Sequence, residues 1–310
     1  MKKIITLTLN PAFDIHCNAE SFVSEKENIA TVTSKNAGGK GVNISRALAQ
    51  AGAKSTAVIV LGKDNADEFL NKLPQDKFNI HKIAVDGKVR ENITVHTKGR
   101  PETRLSFTGL STDDSIVQKI EDKVLKVATK NDIVTLTGRI PDGVSLNAVK
   151  KMIYNFTKNG IKTVIDSNSF SLNDIIDCKP FLIKPNEEEI SEYFGKKITD
   201  FSQILDSAKQ LHSNGIENVI VSLGKKGAML VCNSGCFVAT PPEIKALSTI
   251  GAGDSLIAGF LMSKTTNADY KECLINAVAF GTAACLTEGT NPPLAKDIER
   301  LKKEVSIKIV

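Results

Sequence analysis

From residue 113 onward the chain switches regularly between two hydrophobic periods, and this limits its fold more than any other feature. Helical patterns over 113–128, 145–159, 186–195 and 202–214 are separated by short apolar runs at Asp132–Leu136, Ile161–Asp166, Phe181–Lys184 and Asn218–Leu223. Apolar residues recurring every three or four positions give a helix one buried stripe. A continuous β-branched run of about five residues reads as a strand covered on both faces. Such alternation predicts an α/β fold with a mostly parallel central sheet and helices on either side. Parallel strands deliver their carboxyl ends to one edge, where open α/β sheets bind ligands. Here those ends carry Thr137-Gly138, Asp166-Ser167-Asn168, Lys184-Pro185-Asn186 and Ser222-Leu223-Gly224.

The first hundred residues keep this rhythm less strictly. Ile4–Leu9 and Thr56–Leu61 read as strands closed by Asn10-Pro11 and Gly62, and Asp64–Leu73 reads as a short helix. Asp14 lies just past the first strand, as a solvated turn residue or as a ligand group at the binding edge. Ile29–Ser34, Lys88–Thr97 and Glu102–Phe107 alternate like half-buried strands, the last two joined around Lys98–Pro101. They predict a small antiparallel sheet inserted among the α/β units. Arg90 and Arg104 lie on it, either as solvated charges or as phosphate clamps if the sheet folds over a cleft. Further on, Met229–Cys232 and Cys236–Ala239 form a hairpin around Asn-Ser-Gly. Helices over 270–286 and 294–304 precede an alternating tail, Ser306–Val310, that suits an edge strand.

Two glycine-rich stretches carry the chemistry. Asn36-Ala-Gly-Gly-Lys-Gly-Val-Asn43 opens a helix that runs from Val42 to Ala51. Lys40 there is a point charge suited to phosphate, and Asn43 offers an amide to sugar hydroxyls. Thr249-Ile-Gly-Ala-Gly-Asp-Ser255 opens an apolar run, Leu256–Met262, that reads as a buried helix. Glycine lets the backbone approach a ligand without a Cβ, and first-turn N–H groups then face an anion. Asp254 in that turn is either a capping carboxylate or a base beside bound phosphate. Asn186 and Glu189, three apart at another helix start, share a face as a cap or as oxygen ligands near Mg²⁺. The dinucleotide fingerprint fails, because Leu256 stands where its third glycine belongs, and no GxxxxGK[ST] loop exists in the chain.

Composition excludes other classes. The net charge of +5 comes from interspersed lysines without a dense basic block or basic–aromatic interleaving, which argues against nucleic acid. Thr6, Thr8, Asn10 and Pro11 interrupt the apolar start, and no run approaches a membrane span, so the expected location is cytoplasmic. The six cysteines are scattered and lack the second Cys or His pair that a metal site needs, and they read as free thiols.

With these stretches in order, the whole chain resembles the PfkB (ribokinase-like) sugar kinases. Ala37–Asn43 and Thr249–Ser255 match the two family signatures, and Lys184–Glu189 and Ser222–Ala228 match the stretches between them. Thr8–Asp14 and the lysine at position 40 are similar to the 1-phosphofructokinase and tagatose-6-phosphate kinase branch. The resemblance implies a ribokinase-like three-layer fold over residues 1–310, with a discontinuous β lid at 12–34 and 88–108 that pairs two subunits in a homodimer. It implies an ATP-dependent, Mg²⁺-using kinase acting on a ketohexose phosphate, foremost D-fructose 1-phosphate, with tagatose 6-phosphate as the alternative; a non-catalytic sugar-phosphate sensor is the distant alternative. Asp14, Gly39, Lys40, Asn43, Arg90 and Arg104 would hold the sugar phosphate. Asp254 would be the base and Gly251, Ala252 and Gly253 the anion hole. Lys184, Asn186, Glu189, Ser222, Gly224 and Gly227 would serve ATP, with Glu189 reaching the metal indirectly. Where that branch has Gly-Ser-(Leu/Val)-Pro, this chain has Gly138-Arg139-Ile140-Pro141.

Overall fold

A computed structural model describes residues 2–74 and 76–310. In chain order its strands are β1 (Ile4–Thr8), β2 (Ala12–Ala19), β3 (Ala30–Gly38), β4 (Thr56–Gly62), β5 (Asn79–Val85), β6 (Arg90–Thr97) and β7 (Thr103–Leu105). They continue with β8 (Ile133–Thr137), β9 (Lys162–Asp166), β10 (Leu182–Ile183), β11 (Asn218–Ser222), β12 (Ala228–Cys232), β13 (Gly235–Thr240) and β14 (Ser306–Ile309). The helices are α1 (Lys40–Gln50), α2 (Ala66–Asn71), α3 (Ser115–Val127), α4 (Leu146–Lys158) and α5 (Leu172–Cys178). After them come α6 (Glu187–Phe194), α7 (Phe201–Ser213), α8 (Ala252–Thr265), α9 (Tyr270–Ala284) and α10 (Ala295–Glu304).

The large sheet has the order β14-β13-β12-β11-β10-β9-β8-β1-β4-β5. It is parallel from β11 to β5, and β12, β13 and β14 extend it antiparallel at one end. Consecutive side chains on its strands enter different cores, as a two-residue period requires. Ile5, Val134, Ile165 and Ile183 pack with α3, α4, α5, α6 and α7 on one face. Their neighbours Ile4, Ile133, Val164 and Leu182 pack with α1, α8, α9 and α10 on the other. This is the three-layer arrangement expected from the alternation.

Four strands in the order β3-β2-β6-β7 make the small sheet. Its outer pairs are antiparallel, but β2 and β6 run parallel, with Asp14 beside Asn92 and His16 beside Thr94. β2 replaces the turn expected after Pro11 and lies between β3 and β6, which are therefore not neighbours. Its polar residues Asp14, His16 and Asn18 alternate with Phe13 and Ile15, so one face of the strand is polar while Phe13 on the other enters the core. Phe13 packs edge-on against Phe69 of α2, which ties the small sheet to the large one. β5 and α5 were also not expected. β5 is a half-exposed edge strand, and α5 is a short helix held by a capping box between Ser171 and Asp174. The end strand β14 forms as its alternation predicts. Among the described residues, no helix is long and apolar enough to cross a membrane.

Candidate active site

The carboxyl ends of β8, β9 and β10 and the N-termini of α1 and α8 converge on one charged cluster. Helix α8 is hydrophobic on nearly all sides and buried, which fixes its start beneath the sheet edge. Gly251 is its N-cap in a left-handed conformation, φ 76°, which glycine adopts without a steric penalty. The N–H groups that follow have no intrahelical acceptor. Asp254, in this first turn, is only 6% exposed. Its Oδ2 accepts a hydrogen bond from Asn43 Nδ2 of α1 at 2.9 Å. Burial raises its pKa to about 6, while Lys40 and the Asn43 bond pull downward and Asp166 pushes upward.

Asp166, at the end of β9, is the counter-ion of the cluster. Lys40 Nζ sits 2.9 Å from its Oδ2, and Lys184 Nζ sits 3.6 Å from its Oδ1. Burial pushes the Asp166 carboxyl upward, but the two lysines outweigh it and its pKa lies below the ordinary value. Burial likewise opposes the charge on Lys40, and Asp166, Asp254 and Glu189 overcome it. A side chain at Gly253 would meet Lys184 Nζ at 3.1 Å, so that lysine reaches the mouth of α8.

Asp14, on β2 of the small sheet, lies against the Gly38–Gly39 turn that opens α1. Burial raises its pKa against the bond from Asn92, whose Nδ2 lies 3.3 Å from Asp14 Oδ1. Gly39 caps α1 at φ 120°, and a Cβ at Gly38 would fall 2.2 Å from Asp14 Oδ2, so this turn is pressed against that carboxylate. Arg90 donates to the carbonyl oxygens of Phe107 and Asn10. Its Nε is buried without a hydrogen-bond partner.

Other expected residues form a flank. Asn186 and Glu189 make a reciprocal capping box, with Glu189 N to Asn186 Oδ1 at 2.8 Å and Asn186 N to Glu189 Oε2 at 2.9 Å. The capping role is thus realised, and the Glu189 charge still reaches Lys40. Ser222 N donates to Pro185 O at 3.0 Å, which joins this flank to the end of β11. Gly227 is there for a packing reason, since a Cβ would strike Ala239 O at 1.9 Å. Gly224 has open space around it and a φ of 56°, so it serves the turn. A cavity of about 410 Å³ opens here between Asp166, Lys184, Glu189, Phe170 and Tyr193.

Arg104 does not join the cluster. It is exposed on β7 and its guanidinium pairs with Glu102, two residues away on the same strand segment. Sequence reasoning passed over Asp166 as a functional residue. Its only signal was an acidic side chain at a strand's carboxyl end, followed by Ser167 and Asn168.

Two lysines and a buried carboxylate with a raised pKa thus meet at the start of a helix, a setting that suits an anion. The sequence pattern of the pfkB family carbohydrate kinases matches residues 7–297. The chain belongs to that family and is a phosphotransferase. A 1-phosphofructokinase from Vibrio cholerae is 28% identical over 99% of this chain and 96% of that enzyme. The ATP-dependent 6-phosphofructokinase isozyme 2 of Escherichia coli is 29% identical over 94% of both chains. The crystal structure of Escherichia coli phosphofructokinase-2 in complex with fructose-6-phosphate superposes with a TM-score of 0.91, at 26% identity, over 98% of this chain and 99% of that one.

Proposed function

We propose that this kinase transfers the γ-phosphoryl group of ATP to the 6-hydroxyl of D-fructose 1-phosphate. The carrying observation is the buried Asp254 carboxylate, held by Asn43 at 2.9 Å at the start of α8. A pKa of about 6 leaves it ionised at neutral pH yet basic enough to accept a hydroxyl proton as the new P–O bond forms. The amides after Gly251 stabilise charge growing on the transferred group, worth about 10²–10³ in rate per good donor. Lys184 faces the same mouth and takes the nucleotide phosphates. Lys40, Asp14, Gly39 and Asn43 hold the acceptor, with Arg90 at its far end.

Among the described residues, no group of three or more acidic, His or Cys side chains is placed to hold a metal. Mg²⁺ bound largely by phosphate oxygens and water suits this donor set, with Glu189 reaching it through water. When bound, the ion would neutralise charge on the triphosphate. The small sheet acts as a lid, and its outer residues Ile29, Val32, Leu105 and Phe107 are exposed. We propose that two copies pair through this lid, whose two edge strands both carry exposed apolar side chains that pairing would bury. Sedimentation of Val32→Glu should then show monomers where the unaltered chain sediments as dimers.

The test of the reaction is an ADP-release assay with fructose 1-phosphate, fructose 6-phosphate and tagatose 6-phosphate. The expected result is the highest kcat/KM on fructose 1-phosphate. A higher value on tagatose 6-phosphate would move the assignment to that sugar. No ADP release on any of the three would discard the ketohexose-phosphate assignment.

A further inference from the structure

The turn after β8 places a second arginine on the acceptor side of the cleft. Gly138, at φ 85°, donates its N–H to Asp166 O at 3.0 Å, and Ile140 N donates to Ser169 Oγ at 3.1 Å. Arg139 is therefore held between two fixed amides, on a turn that lies against Lys40: a Cβ at Gly138 would sit 3.9 Å from Lys40 Cγ. The far end of the turn is fastened to the segment that carries Arg90's partners. Thr112 N donates to Asp142 O at 2.9 Å, and Ser111 and Asp142 form a parallel bridge. In that same segment, Phe107 O accepts from Arg90, and a Cβ at Gly109 would lie 3.0 Å from Arg90 Cδ. Arg90 and Arg139 thus stand on one rim, built from two tied loops.

Their charges oppose each other: Arg90 is shifted downward by burial first, with Asp14 acting against that and Arg139 adding to it. Neither guanidinium is saturated. Arg90 Nε is buried and unpartnered. Among the described residues, the one ion pair of Arg139 is to Asp142 at 3.7 Å, between two half-exposed groups, which is too long for a hydrogen-bonded fork. Two guanidiniums on one rim, close enough for their charges to oppose each other, suit a phosphate dianion, whose three free oxygens accept several N–H donors at once.

We propose that Arg139 is a specificity-determining residue of this chain, joining Arg90 in a two-guanidinium seat for the phosphoryl group the acceptor sugar already carries. The proposal rests on the kinase reading above and adds a residue which that reading does not use. In this arrangement Arg139 binds the acceptor equally in the ground and transition states, because the phosphate it holds is not the one being transferred. Its loss therefore raises the acceptor KM and leaves kcat nearly unchanged. A surface arginine engaged only with Asp142 would leave the acceptor KM unchanged as well as kcat.

The experiment compares the full-length chain with Arg139→Ala and Arg139→Lys in the ADP-release assay, varying acceptor and ATP separately. For the best ketohexose phosphate, Arg139→Ala should raise the acceptor KM roughly 10- to 100-fold, the range for a lost charge-assisted hydrogen bond. The kcat should stay within about twofold and the KM for ATP should be unchanged, as uniform binding requires. Arg139→Lys should recover part of the loss, because a point charge replaces the fork. An unchanged acceptor KM, or parallel rises in both KM values, overturns the proposal. If the unaltered chain turns over no ketohexose phosphate, the ketohexose-phosphate assignment fails. Calorimetric titration with fructose 1-phosphate then decides the seat by itself: weaker binding to Arg139→Ala supports it, and equal binding overturns it. Matching melting curves for the variants exclude misfolding as the cause.

Discussion

The turn at 38–41 and the turn at 251–253 bring two helix N-termini to the same cleft, yet their glycines have different surroundings. In the first, added side chains would collide at once: 2.2 Å from Asp14 Oδ2 at Gly38, 2.7 Å from Thr8 Cγ2 at Gly39, and 2.5 Å from Leu7 O at Gly41. In the second, a Cβ at Gly251 meets nothing within 4 Å, and at Gly253 it meets only the far end of the Lys184 side chain, at 3.1 Å. The first turn needs glycine because protein fills the space. The second keeps a passage clear beside first-turn amides and a lysine, a setting that suits an anion, although Ala252 N already donates to Thr249 O at 3.4 Å. Similar sequence patterns therefore serve packing in one place and chemistry in the other.

The largest effect should come from the chemical turn. Asp254→Asn keeps an acceptor for Asn43 and removes the base, so kcat should fall roughly 10²–10⁴-fold. Stability should not fall with it. The folded pKa of about 6 exceeds the ordinary 3.8, so folding favours the protonated form. That contribution is complete below about pH 3.8 and is lost as pH rises through 6. At pH 7.5 the ionised carboxylate is a burden on the order of 2–3 kcal/mol, which Asn does not carry. A Tm equal to or above that of the unaltered chain, with lost turnover, is expected. A large drop in Tm would make Asp254 a structural residue. The same pKa predicts an acid limb in kcat/KM near pH 6.

Asp166→Asn should do the reverse. It leaves buried Lys184 and half-buried Lys40 without their shared counter-ion, at a cost of roughly 3–5 kcal/mol for breaking a buried pair. Because the folded pKa of Asp166 is depressed, its contribution is present above the ordinary carboxylate value and disappears as pH falls through the lower folded one. Urea denaturation at pH 7 should therefore separate variant and parent widely, and the gap should narrow in acid. An unchanged midpoint at pH 7 would remove Asp166 from the centre of the cluster.

This pair of residues also marks how much the sequence reveals. Strands β1, β4, β8, β9 and β11 were legible because each is a β-branched run buried on both faces. Helices α3, α4, α6 and α7 were legible from their single apolar stripes. β2 was not, since it follows directly on Asn10-Pro11, which reads as a turn, and Asp14, His16 and Asn18 break its apolar run. The glycines, Asp254 and Lys184 were legible from local pattern. The Lys40–Asp166 contact joins residues 126 apart, and the Asn43–Asp254 bond joins residues 211 apart. Such pairings follow from strand order, which no local period encodes. Arg104 looked equal to Arg90 on an alternating hairpin. Its distinguishing partner, Glu102, lies two residues away and so on the same side of the strand.

A direct comparison of the two turns uses one extra methyl group in each. Gly41→Ala forces Cβ onto backbone, 2.5 Å from Leu7 O and 2.9 Å from Leu7 C, and should cost about 1–3 kcal/mol of stability by overpacking. Gly253→Ala displaces only the tip of Lys184, so Tm should change little while the KM for ATP rises and kcat falls. Thermal melts beside initial rates decide between them. A Gly253→Ala variant that loses stability and keeps its kinetics would erase the contrast.

The smallest effect tests whether the turns act as one unit. Asn43, on the helix that the first turn opens, reaches Asp254 of the second through one hydrogen bond, and that bond lowers the Asp254 pKa. Removing it in Asn43→Ala should move the acid limb of kcat/KM upward by about one unit, since a hydrogen bond to a charged group contributes about 1.5–3 kcal/mol. If Asn43 instead serves only the sugar hydroxyls, the acceptor KM rises and the limb stays near pH 6. Both changes together would mean that the amide divides its donors between base and substrate. The position of the limb, measured with acceptor well below KM, separates these cases because it reports the free enzyme.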